Sequence, residues 1–248
     1  MSMIDAQLFC SLLDALPLGC RIIMVGDADQ LPSVGAGNVL HDIIDAKIVP
    51  VIRLNRVFRQ AMQSLIVTNA HAIINGQKMT LDCKDGDFFF MRQHNPAAAA
   101  RLIAELYTER LPAAYGFDPK TDIQVLCPSR KRQLGTINLN NILQDIINSG
   151  GRQSQIKRGQ YTLRVGDKVM QSRNDYDIEW SKGDGTPGHG VFNGDIGILE
   201  EIDRRSGNIL VRFDDRLAIY SEDSAENLEL AYAVTVHKSQ GSEFDCVI

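Results

Sequence analysis

No stretch of the 248-residue sequence approaches the roughly 20 consecutive apolar residues that a membrane-spanning helix needs. The opening "MSMIDAQLFC" has neither the basic flank nor the clean apolar centre of a secretory signal. Both absences point to an intracellular, cytoplasmic chain with no membrane partner. Cysteine is sparse as well. Its five copies (Cys10, Cys20, Cys83, Cys127 and Cys246) are odd in number, far apart and never in a Cys-x-x-Cys pair. That spacing argues against a zinc site and against a disulfide framework. Buried or partly buried free thiols are expected, and no metal site. Positive charge is also in deficit: the formal net charge is −5, which on its face argues against a polyanionic partner.

The distribution of charge qualifies that sum. From Arg152 to Arg173 the chain carries Arg152, Lys157, Arg158, Arg164, Lys168 and Arg173 against Asp167 alone. A second basic cluster, "SRKR", occupies Ser129–Arg132. Such runs permit nucleic-acid binding without demonstrating it. With 44% hydrophobic and 23% charged residues, the composition is that of an ordinary globular protein.

Periodicity divides the chain into two textures. Leu8, Phe9, Leu12, Leu13 and Leu16 share a helical face, with Pro17 and Gly19 as stop signals. Arg21–Val25 reads as a buried strand, Asn38–Asp45 as a short helix that Asn38 can cap, and Val49–Leu54 as a second strand. Ser64–Asn75 is a helix ending at Gly76. Phe88–Met91, Asn95–Arg110, Ile123–Pro128 and Leu134–Asn148 then repeat strand, helix, strand, helix. This alternation predicts an α/β domain with a mostly parallel sheet. After about Ser149 the runs shorten. Tyr161–Val165, Lys168–Ser172, Gly197–Ile202, Ile209–Phe213 and Leu217–Tyr220 are separated by turn signals, which predicts a small β-barrel inserted in the α/β domain. At Leu228–Ser239 an apolar helical texture returns.

Three segments concentrate chemistry. "VGDADQLPSVGAGN" places Asp27 and Gln30 at the end of an apolar run, where open α/β sheets position ligand-binding groups. A glutamine there suits sensing a γ-phosphate or positioning a water. The glycines suggest a phosphate loop, yet no Lys-Ser or Lys-Thr follows them. "RLNRVFRQ" sets Arg56 and Arg59 at i,i+3, on one helical face. A forked, permanently charged guanidinium fits phosphoryl-transfer charge, although an isolated pair is more often simply a surface pair. "AVTVHKSQGSEFD" gathers Thr235, His237, Lys238, Ser239, Gln240 and Glu243 around Gly241. Cation, hydroxyls, amide and carboxylate together suit phosphates on one side and a sugar hydroxyl on the other. A small-molecule enzyme using His237 as a base lacks a partnered nucleophile or metal cluster.

Taken in order, these segments resemble the superfamily-1 DNA helicases, specifically the RecD/TraA class, over nearly the whole chain. "VGDADQLPSVGAGNVL" resembles that family's motif III, "LNRVFRQ" its motif IV and "YAVTVHKSQGSEFD" its motif V. "VLCPSRKRQLGTINLN" and "RVGDKVMQSRNDYD…VFNGDIG" resemble further RecD-class segments, the latter within an SH3-like insertion. The resemblance implies a RecA-like, P-loop-NTPase-type fold. It places residues 1–47 in a first RecA-like domain, 48–152 and 228–248 in a second, and 153–227 in the inserted SH3-like β-barrel. It implies that Gln30 meets the γ-phosphate or its attacking water, and that Asp27 couples that contact to DNA. Arg59 would reach the γ-phosphate, and Gly241 and Glu243 the nucleotide ribose. Thr235, His237, Lys238 and Ser239 would face the single-strand backbone, with Arg130 as a further DNA contact. Asn174 and Tyr176 follow the basic run. There an aromatic suits stacking on an unpaired base or, equally, filling a barrel core.

The sequence contains no G-x-x-x-x-G-K-[ST] phosphate loop. The family's Walker B Asp-Glu pair would precede "MSMID", its motif VI would follow "DCVI", and the Gly-Pro common in the family is absent from "SRKRQLG". The expectation is therefore a C-terminal-side piece of an ATP-dependent 5′-to-3′ DNA helicase, of use in recombination, repair or conjugation. Its partners would be single-stranded DNA and the subunits of a nuclease–helicase complex. ATP and Mg²⁺ would be cofactors of the parent protein, with no tight nucleotide binding by this chain alone. A non-catalytic, single-strand-binding or assembly module is the competing reading.

Overall fold

The computed structural model describes residues 1–54, 63–83, 85–150, 154–203 and 205–248. They form two compact units, Met1–Arg92 and Gln93–Ile248. The first holds three helices, α1 (Ala6–Ala15), α2 (Val39–Ala46) and α3 (Leu65–Ile74). Asp5 caps α1 by accepting from Leu8 N at 2.8 Å, and Ser64 caps α3 by accepting from Val67 N at 3.2 Å. The Asn38 side chain makes no capping bond at the start of α2, contrary to expectation; at the other end Lys47, in the left-handed region (φ 55°), closes the helix.

The strands predicted at Arg21–Val25, Val49–Leu54 and Phe88–Met91 do not form ladders among the described residues; each segment lacks regular secondary structure. The reason is physical: a strand exists only against a neighbour that takes its hydrogen bonds. Ile23, Val25, Ile52 and Leu54 are accordingly exposed, as are Leu8, Leu12 and Leu13 on the apolar face of α1. Val39 and Leu40 are the fully buried hydrophobic residues described in this unit.

The second unit holds the dense core. A three-stranded parallel sheet runs β11 (Ala233–Thr235), β1 (Ile123–Cys127), β12 (Cys246–Val247). Helix α4 (Pro96–Glu105) is capped by Asn95, which accepts from Ala97 N and Ala98 N. It continues through a π-helical turn (Leu106–Arg110) into α5 (Leu111–Tyr115). Leu139 and Leu143 of α6 (Thr136–Ile147) are buried in the same core as β1. The helical texture expected at Leu228–Ser239 is overridden. That segment forms β10 (Leu228–Leu230), then β11, then a turn, because each short run finds a strand partner.

Between α6 and β10 lies the predicted β-rich module. A hairpin of β2 (Gln155–Arg158) and β3 (Tyr161–Arg164) precedes an antiparallel sheet. It is built from β4 (Lys168–Gln171), β5 (Asp175–Lys182), β6 (Pro187–Val191), β7 (Ile196–Ile202), β8 (Ile209–Phe213) and β9 (Arg216–Tyr220), with β10 on the edge beside β4. Bulges interrupt β5 and β7, the device that lets a small sheet bend over its own core. Leu163, Val169, Leu199, Ile209, Val211, Phe213 and Tyr220 fill that core. Gly188 is required on β6, since a Cβ there would lie 2.3 Å from the Trp180 ring. Cys127 is buried and Cys83 and Cys246 are partly so, but Cys10 and Cys20 are exposed, against expectation. Each lies in or just after α1, whose surface the described residues do not cover.

Two adjacent charged residues join the module to the parallel sheet. Asp167 is buried and accepts from Arg164 N, Gln144 Nε2, Asn148 Nδ2 and Tyr232 Oη. Lys168 is also buried, and its Nζ donates to Ile123 O of β1 at 3.0 Å. Burial lowers the Lys168 ammonium to about 8. Between that value and its ordinary 10.5 the unfolded chain holds the proton that the folded chain has released. Stability from this group therefore rises with pH across the window. Urea unfolding at pH 8 and pH 10 is expected to show wild type gaining stability relative to Lys168→Met; parallel pH curves would contradict this.

Candidate functional site

The first candidate lies at the motif-III-like loop of the Met1–Arg92 unit. Residues 22–27 carry no regular secondary structure and pass into a turn and bend at residues 28–30. Asp27 Oδ1 accepts from Asp29 N at 3.0 Å, and Gln30 N donates to Asp27 O at 3.4 Å. Asp27 therefore shapes the turn that presents Gln30, whose Oε1 accepts from Ser2 Oγ at 3.5 Å. Both side chains are exposed. The glycines beyond have a separate task. A Cβ on Gly35 would lie 2.0 Å from Asp5 Oδ2, and Gly37 needs φ +100° beside Ala6. With Ala6 N donating to Ala36 O at 2.9 Å, the turn wraps the capped start of α1. The glycines serve chain packing here, not a phosphate cradle. Arg56 and Arg59 lie outside the described residues.

The second candidate is built in the Gln93–Ile248 unit at the end of β11. Val236 N donates to Cys127 O, and Lys238 N and Ser239 N both donate to Thr235 O, at 2.9 and 3.1 Å. Thr235 Oγ1 also accepts from Lys238 N at 3.4 Å. This tight turn sets Lys238 and Ser239 at the sheet edge and leaves His237 exposed. Gly241 follows at φ +86°, a left-handed position that suits glycine, and Glu243 beyond it is exposed.

Arg130 joins this turn from another direction. The loop after β1 folds over the start of α6, where Thr136 N donates to Ser129 O and Ile137 N to Arg130 O. The loop thereby satisfies helix N–H groups that have no intrahelical partner. Gly135 makes the fit possible, because a Cβ there would lie 2.2 Å from Lys131 O. From this loop Arg130 Nη2 reaches Glu229 Oε1 at 3.2 Å, while Lys238 Nζ reaches Glu229 Oε2 at 3.0 Å. One carboxylate on β10 thus bridges two cations from separate segments. Glu229 stood out in no sequence pattern, since an acidic residue in an apolar run does not announce which cations it meets.

The third group is aromatic and sits on the module. Tyr176 is 67% exposed, so it does not fill the barrel core. It packs edge-to-face on Phe192 with ring centroids 5.7 Å apart. Asn174 Oδ1 accepts from Asn193 N at 2.9 Å and so fixes the turn that follows Phe192. Gly194 in this turn lies against Lys238: a Cβ on it would be 3.6 Å from the Lys238 carbonyl oxygen. Phe192 was missed in the sequence, although its place beside the Asn193-Gly194 turn signal was a usable clue. Among the described residues no cluster of His, Cys, Asp or Glu could hold a metal ion, and no helix is long and apolar enough to cross a membrane.

The chain is also similar to known proteins. Residues 1–87 match an AAA domain model, 139–213 the ATP-dependent RecD-like DNA helicase SH3 domain, and 230–248 the UvrD-like helicase C-terminal domain. The chain is 35% identical over its whole length to the ATP-dependent RecD2 DNA helicase of Deinococcus radiodurans, covering 31% of that protein. It is 27% identical to the RecBCD enzyme subunit RecD of Mycobacterium tuberculosis, over 98% of this chain and 42% of that protein. It is 24% identical to the conjugal transfer protein TraA of Agrobacterium fabrum, over 92% of this chain and 20% of that protein. The chain thus spans well under half the length of these relatives. A Pif1 helicase from Bacteroides, solved with ADP-AlF3 and ssDNA, shares its fold with a TM-score of 0.53 at 18% identity, covering 99% of this chain and 62% of that one. The RecA-like α/β architecture with an SH3-like insertion, and helicase-domain matches at the start, middle and end, are what this chain shares with the RecD/TraA class of superfamily-1 helicases.

Proposed function

We propose that the chain is the translocating portion of an ATP-dependent DNA helicase, moving 5′ to 3′ on single-stranded DNA. The observation that supports this best is the convergence of Arg130, Lys238 and the Thr235–Ser239 turn beside a module surface bearing Tyr176 and Phe192. Cations that position a backbone beside aromatics that stack on bases are the combination that unpaired strands require. In this reading Thr235, His237, Lys238, Ser239 and Arg130 meet the strand backbone, and Asn174 holds the turn that presents the aromatic pair. Gln30, Arg59, Gly241 and Glu243 serve the nucleotide, with Asp27 shaping the Gln30 turn. ATP with Mg²⁺ would be held by a phosphate loop that these 248 residues do not contain, and would supply the energy for domain closure. Recombination, repair or conjugation, alone or within a nuclease–helicase complex, is the setting this activity fits.

The test is a fluorescence anisotropy titration of the 248-residue chain with labelled oligothymidylate at low salt. Wild type should bind weakly, with affinity falling as salt rises. Tyr176→Ala should weaken binding by roughly 5- to 150-fold, the loss of about one stacked base at 1–3 kcal/mol. Absence of binding by wild type would overturn the reading.

A further inference from the structure

Glu229 faces the cations assigned to the DNA strand, which is an unexpected place for a carboxylate. It is fixed from below: its backbone pairs with Met170 of β4, so only its side chain is free to move. Its two partners come from elsewhere, Arg130 from the loop after β1 and Lys238 from the turn after β11. Each carboxylate oxygen holds one cation, at the spacing with which a phosphodiester's two free oxygens would do so. The cleft that these three line, with Tyr161, Asn140 and Thr136, has about 10 Å³ of free space, enough for about one water. Within that cleft a phosphate has no room beside Glu229 and must take its place to meet both cations.

We propose that Glu229 is a positioning residue that stands in for a backbone phosphate. It holds Arg130 and Lys238 in a paired state, and it leaves when a phosphodiester of single-stranded DNA binds them. This rests on the nucleic-acid reading above and deepens it. The pairing has two consequences. The cations stay together, at the place a phosphate needs them, when no strand is bound. Binding is also weakened by the ion pairs it must break, so the strand is held loosely enough to be passed on at each step. Because Glu229 sits on β10, which pairs with β4 at the edge of the module's sheet, and Lys238 on the turn after β11, the exchange also uncouples those two elements at that point.

The experiment compares wild type, Glu229→Gln, Lys238→Ala and the double variant in oligothymidylate titrations, with thermal melts to verify folding. Glu229→Gln removes two ion pairs of modest strength and should tighten binding by about 3- to 30-fold. In the Lys238→Ala background the same substitution should give a clearly smaller gain, since one of the two cations it releases is gone. Glu229→Ala, as a second variant, should tighten binding in the same direction. If wild type and all variants fail to bind, the nucleic-acid reading falls and this one with it. If wild type binds and Tyr176→Ala weakens it, but folded Glu229→Gln binds equally or less tightly, the phosphate stand-in alone is overturned. A gain undiminished by Lys238→Ala would also overturn it.

Discussion

Asp167→Ala is expected to destabilise the Gln93–Ile248 unit by about 3–5 kcal/mol, the cost typical of removing one partner from a buried charged network. The Asp167 carboxylate is an acceptor for four donors and has no exposed surface. Gln144 and Asn148 come from the end of α6 and the residue after it, Arg164 N from β3, and Tyr232 from the residue before β11. Burial pushes the Asp167 carboxyl above the ordinary carboxylate range, and those four donors oppose the shift. Alanine leaves them facing a cavity. Gln144 and Asn148 keep their second bonds, to Thr162 O and Val165 O, whereas Tyr232 Oη loses the acceptor shown for it. Against a typical total of about 5–15 kcal/mol, such a loss is a large share of domain stability. Urea unfolding should show the midpoint falling sharply. Asp167→Asn should fall between, because its amide keeps one acceptor and turns a donor toward donors. An unchanged midpoint for alanine would show that the hub is not what joins the module to the sheet.

Arg59→Ala should lower kcat for ATP hydrolysis by about 10³-fold or more, in a longer protein that carries this chain together with a phosphate-binding loop. Phosphoryl transfer spreads charge over the γ-phosphate oxygens, and a forked guanidinium reaching them from across a cleft stabilises the transition state more than bound ATP. The signature is thus a fall in kcat with little change in nucleotide affinity. Arg59→Lys should recover only part of the rate, since a point charge lacks the two-pronged fit. Arg56→Ala is the internal control: it shares a helical face with Arg59 in the sequence pattern and should cost far less. Equal losses at both positions, or a loss confined to ATP affinity, would remove Arg59 from this role.

What was legible from the residues was mostly local. Asp5, Ser64 and Asn95 could be recognised as helix starts, and all three accept from their helices' first N–H groups. Five of the module's strands, β3, β4, β7, β8 and β9, were legible because short alternating runs between Gly-Asp and Asn-Gly turns have few other ways to bury one face, whereas β2, β5 and β6 were not read. The ordered segments around Gln30, Arg59 and Lys238 carried the family resemblance. What the glycine-rich turn packs against could not be read, because that depends on Asp5 and Ala6, about thirty residues upstream. Leu228–Ser239 misled for a related reason: an apolar run too short to show its period takes the structure of whichever partner it meets.

The amino-acid sequence by itself determined most helix starts, five strands of the β-module and the list of cations, hydroxyls and aromatics available for chemistry, since these follow from spacing of a few residues. Tertiary structure decided the pairing. It set β1 between two strands that come more than a hundred residues later, left Ile23, Val25 and Ile52 exposed without a ladder, and turned Tyr176 outward onto Phe192. It also placed Glu229 between Arg130 and Lys238. Hydrogen-bond ladders and ion pairs join residues distant in the chain, and their partners are fixed only when the backbone closes the loops between them.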